Sequence, residues 1–262
     1  MIISSLNIRV ASNAEEHEQG IREPRIISFL QKHTPDSIGM QECTAFWRER
    51  LDERMEAIGY RRAQNTPPIR NTFKNYIWYR TETTELLDAG IKWLSDTPDE
   101  PSKGFGSKYY ISAAWAVFRL KEDGTEYVHS NTHLDVTDEN IRKAEMKLVL
   151  AMVKAFADKG DEILVTGDFN AREESVIYDG FTAVLADARK TAKHSTEINT
   201  FNGYQRVPGQ YHYDVPETEY TRIDFCFHTD KIDVEQFSVI DRWDGGYMSD
   251  HNALLVNASC LR

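Results

Sequence analysis

The chain has 262 residues, of which 40% are hydrophobic, and its 31 Lys and Arg against 42 Asp and Glu give a formal net charge of −11. This length and hydrophobic content suffice for one large β-rich domain, and no apolar run is long enough to span a membrane. The acidic balance disfavours tight, non-specific binding to nucleic acid, which needs clustered Lys and Arg. The widely spaced Cys43, Cys226 and Cys260 lack metal-finger spacing, so we expect ordinary reduced thiols.

The N-terminal residues contain no basic segment, no apolar stretch of signal length and no small-residue cleavage site, so we expect a cytoplasmic location. No internal repeat, low-complexity tract or interdomain linker interrupts the sequence. The expected organisation is a single domain over residues 1–262.

Short apolar runs separated by turn signals predict mainly strands, with helices between several of them. The predicted strands cover residues 2–7, 36–42, 60–64, 76–80, 115–120, 126–131, 163–165, 222–227, 234–240 and 253–256. The predicted helices cover residues 24–34, 44–58 and 138–158, with further helical pieces between 173 and 189.

The longest predicted helix, 138–158, begins after Thr137, a residue type that caps helix N-termini. Apolar side chains recur at helical spacing along it and predict a core-facing stripe. The stripe consists of Ile141, Ala144, Leu148, Met152 and Ala155.

The segment Val165–Ala171, with the sequence VTGDFNA, carries the clearest chemical signal. A buried strand ends there, Gly167 frees the backbone to turn, and Asp168 and Asn170 follow two residues apart. In extended backbone such side chains leave on the same side, so a carboxylate and a carboxamide can converge on one ligand. For a single Gly-Asp-x-Asn the alternative is a plain Asx turn. The rest of the chain favours the ligand-binding interpretation.

Five further segments place polar groups within or after strand-like runs, where apolar or neutral residues are usual. They are Asn7 in SLNIRV, Glu42 in IGMQE, His133 in NTHLD, Asp224 in RIDF, and Asp250 with His251 in MSDHNAL. Alone, Glu42 would be a solvated residue at a helix start and His133 a hydrogen-bonded core histidine.

Together with GDFNA, these motifs resemble the endonuclease/exonuclease/phosphatase superfamily, which includes DNase I-like nucleases, inositol-phosphate phosphatases and sphingomyelinases. The resemblance runs from Asn7 to His251, and its motifs stand in the family's order. It implies an α+β fold, a four-layer α/β/β/α sandwich with two mainly antiparallel sheets packed face to face and helices outside. The segment 91–101 resembles a bacterial branch of unspecified substrate.

The resemblance also implies metal-dependent phosphoester hydrolysis. Asn7, Glu42 and Asp250 would bind the metal, and their hard oxygen atoms suit Mg²⁺ or Mn²⁺. The implied partner is a phosphate-ester substrate, with nucleic acid among the candidates, and no protein partner is indicated.

The remaining motif residues receive catalytic roles from the same resemblance. Asp168 would orient or deprotonate the attacking water, and Asn170 would help to hold the nucleophile and the phosphate. His133 would donate a hydrogen bond to a phosphate oxygen. Asp224 would fix the tautomer of His251 and favour its charged form, and His251 would contact the phosphate or transfer a proton.

One family feature is missing. A glutamate that usually orients the motif histidine has no counterpart here, since Phe73 or Lys74 occupies its neighbourhood. The substrate also stays open between a small phosphate ester, which the acidic charge favours, and a nucleic acid. A binding module without turnover is the non-enzyme alternative. The candidate anion contacts are Lys74, Lys103, Lys108 and Arg206, and the candidate rim aromatics are Trp93, Phe105, Tyr109 and Tyr204.

Overall fold

The structure is a computed structural model, and it describes residues 1–10, 18–65, 74–204 and 222–261. Its helices are α1 Gln19–His33, α2 Ala45–Ala57, α3 Glu139–Ala157, α4 Val176–Thr182 and α5 Ala188–Thr191. Its strands are β1 Ile2–Asn7, β2 Ser37–Cys43, β3 Tyr60–Arg62, β4 Lys74–Arg80, β5 Thr84–Trp93, β6 Ser112–Leu120, β7 Glu126–His133, β8 Ile163–Asp168, β9 Ala186–Asp187, β10 His194–Ser195, β11 Asp224–His228, β12 Ile232–Ile240 and β13 Ala253–Cys260.

The strands of the described residues form two sheets. The first has the order β10-β12-β13-β1-β2-β4-β3, and the second has the order β5-β6-β7-β8-β11-β9. Most neighbouring strands are antiparallel, while β1 with β2, β7 with β8, and β10 with β12 are parallel. The connections after β1 and β7 contain helices α1 and α3, as parallel neighbours require.

Three apolar clusters define the layers of the fold. The inner faces of both sheets share one cluster, which includes Ile77, Phe118 and Leu254. Helices α1 and α2 pack on the outside of the first sheet, and α3 and α4 pack on the outside of the second. The predicted four-layer α/β/β/α sandwich is therefore confirmed. No helix in the described parts of the chain is long and apolar enough to cross a membrane.

A buried polar layer also joins the two sheets. Gln41 Nε2 donates to Ser5 Oγ and to Asn131 Oδ1, at 3.0 and 2.6 Å. The ring nitrogens of His129 lie 2.9 Å from Ser37 Oγ and 2.8 Å from Thr166 Oγ1. We call these six residues, Ser5, Ser37, Gln41, His129, Asn131 and Thr166, the inter-sheet polar layer. Every strand in it continues toward the same edge of the sandwich.

Strand direction explains why the polar motifs meet at that edge. The parallel strands β1, β2, β7 and β8 end there, and the antiparallel strands β11 and β13 begin there. In register, Asp168 on β8 is opposite both His133 on β7 and Asp224 on β11. The topology thus concentrates the motif residues at one edge.

The role predicted for Gly167 was wrong in detail. Gly167 lies inside β8, at φ 152°, where an added Cβ would be 2.0 Å from the carbonyl oxygen of Thr132. It is needed for the close approach of β7 to β8. Strand β8 ends at the next residue, Asp168, and the backbone turns at Asn170, which has a left-handed φ of 46°. Asparagine tolerates that conformation better than most residues.

Other sequence predictions also need correction. Helix α1 begins at Gln19, five residues before the predicted start, so Pro24 lies inside its second turn and does not open the helix. Asp138, not Thr137, caps α3 by accepting a hydrogen bond from the Asn140 amide. Strand β5 was not predicted, and its charged residues and the bulge between Leu86 and Asp88 disturb the expected alternation.

The core stripe predicted for α3 was also displaced. Its fully buried face consists of Ile141, Glu145, Val149 and Val153. Of the predicted residues beyond Ile141, Ala155 is exposed and the others are half-buried. Helix α3 has apolar residues on two adjacent stripes, so spacing alone does not select between them.

Candidate active site

Asp168 is the centre of the polar groups at this edge, and it is buried. Its Oδ2 atom accepts a hydrogen bond from Asn7 Nδ2 at 2.9 Å and lies 3.3 Å from His133 Nε2. The Nε2 atom of His251 is 3.7 Å from the same oxygen. Its other oxygen, Oδ1, accepts from the backbone amide of Asn170 at 2.9 Å. One carboxylate therefore contacts or approaches groups from three other motifs.

Glu42 joins this group through Asn7. Its Oε1 atom accepts from Asn7 Nδ2 at 3.0 Å, and its Oε2 atom accepts from the Val10 amide at 2.8 Å. Glu42 has φ 59°, a left-handed conformation that is uncommon for a side chain of this size. It lies at the irregularity where the pairing of β2 and β4 shifts register. The strained backbone turns the carboxylate toward the site.

Asp224 and His251 form a buried pair beside Asp168. His251 Nδ1 lies 2.9 Å from Asp224 Oδ2, and the ring of Phe201 stands edge-on to the imidazole at 5.0 Å. The Asp224 amide is fixed by Thr200 Oγ1 at 3.0 Å. Burial opposes a charge on His251, but Asp224 and Asp168 outweigh it and raise the pKa of His251 to about 10. The geometry favours an imidazolium whose Nε2 faces Asp168.

Asp250 is held by an arginine that was not predicted from the sequence. Arg9 Nη1 lies 2.6 Å from Asp250 Oδ2, and its guanidinium stacks over the Tyr204 ring at 5.2 Å. The Arg9 amide donates to Asn7 Oδ1 at 2.9 Å. Arg9 stands two residues after Asn7, the same spacing that drew attention to Asp168 and Asn170. That spacing was the available signal for it.

The loop after His133 is fixed from both sides. The Leu134 amide donates to the Asp168 carbonyl at 3.0 Å, and Asn170 Nδ2 donates to the Leu134 carbonyl at 2.8 Å. The next residue, Asp135, donates its amide to Glu145 Oε2 at 2.8 Å. The side-chain nitrogen of Asn170 thus donates to this loop, which leaves its side-chain oxygen to bind other groups.

A cavity of about 1060 Å³ opens over these residues. Glu42, His133, Asp168, Asn170, Asp250 and His251 line it. Asn7 and Asp224 lie behind them, in contact with Asp168 and His251. We call these eight residues the catalytic edge. The structure therefore brings together all eight site residues named from the sequence.

The anion contacts predicted from the sequence were not confirmed. Arg206, with most of the loop 200–220, lies outside the described residues, as does Phe73. Lys103 stacks over Tyr110 at 5.3 Å instead of lining the cavity. The described arginines in the cavity wall are Arg9, Arg142 and Arg172. Of the proposed rim aromatics, Tyr109 lines the cavity, whereas Trp93 lines a separate groove beside α3.

The donor set fits a hard divalent cation. Glu42, Asp168 and Asp250 supply carboxylate oxygens to one cavity, which suits Mg²⁺ or Mn²⁺. Ligand atoms of Asp168, Asp224 and His251 also lie within 4.8 Å of one another. There, however, Asp224 engages His251 Nδ1 and favours a protonated ring, which is a poor metal ligand. The carboxylates of Glu42 and Asp250 are the better candidates.

Comparison with known proteins agrees with this geometry. Residues 5–251 match the model of the Endonuclease/Exonuclease/phosphatase family, so the chain belongs to that family. Family members are hydrolases that act on phosphoester bonds. An uncharacterised protein of Acanthamoeba polyphaga mimivirus is 26% identical over 193 residues, which cover 71% of this chain and 68% of the viral protein.

Solved structures show the same fold. A family protein from Bacteroides vulgatus has a TM-score of 0.86 and 26% identity, covering 99% of this chain and 98% of its own. A mannosyl-6-phosphatase from Bacteroides thetaiotaomicron has a TM-score of 0.83 and 25% identity, covering 99% of both chains. At 17% identity, D. rerio TDP2 complexed with a single-strand DNA product has a TM-score of 0.73, covering 99% of this chain and 98% of its own.

Proposed function

We propose that the protein is a divalent-metal-dependent phosphoesterase that hydrolyses a small or short phosphate ester by attack of an activated water. The observation that carries the proposal is the convergence on Asp168 Oδ2 of Asn7 at 2.9 Å, His133 at 3.3 Å and His251 at 3.7 Å. We also propose that the whole of residues 1–262 forms one domain around this site.

Each residue has a defined part in the mechanism. Asp168 accepts the proton of a water placed in the cavity, and the hydrogen bond from Asn7 orients its carboxylate. His133 donates from Nε2 to a phosphate oxygen. His251, held by Asp224, presents a positively charged Nε2–H to the developing charge on the phosphoryl group. Asn170 offers its side-chain oxygen to the water.

Glu42 and Asp250 would hold the divalent cation, with Asn7 next to Glu42. When bound, the cation offsets the negative charge that develops on the phosphoryl oxygens. Arg9 supports this arrangement because its guanidinium holds Asp250 at the cavity wall. The same guanidinium lies within the cavity, where an anionic ester would meet it.

The preference for a small substrate rests on charge and on the relatives. The net charge of −11 opposes the binding of long polyanions, because such binding needs many Lys and Arg to displace the counterions from the phosphates. A mannosyl-6-phosphatase is among the structures of closely similar fold. A sugar phosphate is therefore the first class to test, and nucleic-acid hydrolysis is the second because TDP2 shares the fold.

The test is a metal-dependence assay on a panel of esters. Sugar phosphates, p-nitrophenyl phosphate, bis(p-nitrophenyl) phosphate, oligonucleotides and plasmid would be compared in Mg²⁺ and Mn²⁺, at low and moderate salt. We expect turnover of small esters that disappears in excess chelator.

Three results would contradict parts of the proposal. Full turnover in chelator would remove the metal from the mechanism. Plasmid nicking that collapses as salt rises, without turnover of small esters, would establish a nuclease. Tight binding of phosphate esters with no hydrolysis in either metal would favour the binding module.

A further inference from the structure

The cavity extends well beyond the catalytic edge. From Arg9 and Glu42 at the ends of β1 and β2 it reaches α3 and the start of α4, which cover the second sheet. Its volume of about 1060 Å³ exceeds what one phosphoryl group needs, and its far wall carries Arg142 and Arg172. None of the catalytic roles described above uses these two arginines.

Arg142 is fixed in place, and within the described residues its guanidinium forms no direct ion pair. Its Nη1 atom donates to the Asp135 carbonyl at 2.8 Å, and its Nε atom is buried without a hydrogen-bond partner in the described chain. The Asp135 carboxylate is already engaged by Ser107 and by the turn that follows it. Glu139 pairs with Lys143 at 2.7 Å. A backbone carbonyl therefore orients the guanidinium, and within the described residues its Nη2 atom has no hydrogen-bond partner.

Arg172 reaches the same cavity from the other side of the His133 loop. It is exposed, and within the residues the structure describes its side chain makes no hydrogen bond or ion pair. Its carbonyl accepts from Ser175 Oγ at 2.6 Å, which fixes the local turn. The exposed carboxylate of Glu174 also lines this rim but forms no ion pair with either arginine.

The chain places both arginines close to the catalytic groups. Arg172 stands two residues after Asn170, and Arg142 is bonded to the residue two after His133. Two residues span at most about 7 Å between Cα atoms. A guanidinium presents several N–H donors in a planar arrangement that matches the oxygen atoms of a phosphate or carboxylate.

We propose, on the basis of the proposed function, that Arg142 and Arg172 form a second anion subsite. It accepts a second phosphate or carboxylate of the same small substrate, on the cavity wall away from the phosphate that is cleaved. The substrate class is therefore a small phosphate ester with a second anionic group a few bonds away.

The test measures binding, so it does not depend on turnover. Non-hydrolysable alkane bisphosphonates with two to six carbons, and alkyl monophosphonates of matched length, would be titrated calorimetrically in excess Mg²⁺. Phosphonocarboxylates of the same lengths distinguish a phosphate from a carboxylate preference. The variants are Arg172→Gln and Arg142→Gln. The matched control is Arg119→Gln on β6, which removes a guanidinium paired with Glu85 and Glu126.

We expect one spacer length to bind about tenfold more tightly than its monophosphonate, the size of one charge-assisted contact. Each cavity variant should reduce this advantage, and Arg119→Gln should retain it. The proposal is overturned if no ligand with two anionic groups binds better than its matched monophosphonate, or if the advantage survives both cavity substitutions. Hydrolysis of esters without any such advantage would leave the proposed function standing and remove the subsite alone.

Discussion

The inter-sheet polar layer and the catalytic edge carry similar residues on the same strands, yet they differ in charge. On β7, Asn131 and His129 belong to the layer, while His133 belongs to the edge. The layer joins neutral donors to neutral acceptors, as in the 2.6 Å bond between Gln41 and Asn131. At the edge, buried or half-buried carboxylates converge beside a cavity. Similar polar residues thus hold the sheets together in one region and concentrate charge in the other.

Two buried histidines show the difference most clearly. Burial lowers the pKa of His129 to about 3, because its neighbours Ser37 and Thr166 are uncharged. Burial also opposes the charge of His251, but Asp224 and Asp168 raise its pKa to about 10. Burial alone therefore does not determine whether a buried histidine carries a charge. The carboxylates around it do.

The largest effect expected is at the centre of the catalytic edge. Asp168→Asn and His251→Ala should each reduce turnover roughly a hundredfold or more, since acid-base and electrostatic contributions commonly have that size. Because the two side chains act on one reaction step, the double variant should lose less than the product of the single losses. Steady-state kinetics on the best ester would measure this, with circular dichroism as the folding control. Near-wild-type rates in folded variants would favour a binding module.

A smaller effect is expected at Glu42. Glu42→Gln should raise the metal concentration needed for half-maximal activity about tenfold or more, because a neutral amide is a weaker ligand than a carboxylate. Mn²⁺ titration by calorimetry would give the same shift without turnover. Glu56→Gln, at an exposed position of α2, removes the same charge as a control. Unchanged metal affinity in Glu42→Gln would exclude Glu42 as a ligand.

Much of the catalytic edge could be predicted because its information is local. Each motif residue lies at or beside a strand end, and the resemblance to the family indicates which of these residues belong to one site. Helix α2 was likewise predicted to within a residue at each end, since Thr44 provides a clear N-cap.

The features that escaped prediction depend on tertiary contacts. Arg9, Arg142 and Arg172 come from three separate segments, and only the folded cavity brings them together. Strand β5 is an edge strand, where charged residues such as Asp88 and Lys92 are tolerated and the apolar alternation is lost. The buried face of α3 was displaced because packing selected one of two apolar stripes.

A substitution of His129 tests whether the inter-sheet polar layer contributes to stability and not to turnover. His129→Ala should lower the free energy of unfolding by about 2–4 kcal/mol, because it leaves a cavity and removes the shortest hydrogen bond of two buried hydroxyl groups, those of Ser37 and Thr166. Turnover of the folded fraction should change only a few fold. Urea unfolding and kinetics well below the transition would measure both quantities. A large loss of turnover at unchanged stability would contradict the separation of the two regions.

The smallest effect concerns Glu145, a buried acid of α3 behind the His133 loop. Burial raises its pKa to about 8, with hydrogen bonding from the Asp135 amide opposing the rise. Below about pH 4.5 the folded and unfolded chains both carry this proton. Between pH 4.5 and 8 the unfolded chain releases it first, so the folded state binds more protons and loses stability as pH rises.

Glu145→Gln should remove this dependence while keeping an acceptor for the Asp135 amide. The free energy of unfolding of the variant should match that of wild type near pH 4.5 and exceed it by at most about 3.5 kcal/mol at pH 7, which is 2.5 units of pH at about 1.4 kcal/mol each. Urea unfolding at pH 5, 6, 7 and 8 would measure the difference, with Glu53→Gln on α2 as an exposed control. A gap that is constant with pH would mean that Glu145 keeps an ordinary pKa. A difference in free energy of unfolding that grows with pH would show that burial keeps Glu145 neutral, as it does His129, although Glu145 lies directly behind the catalytic edge.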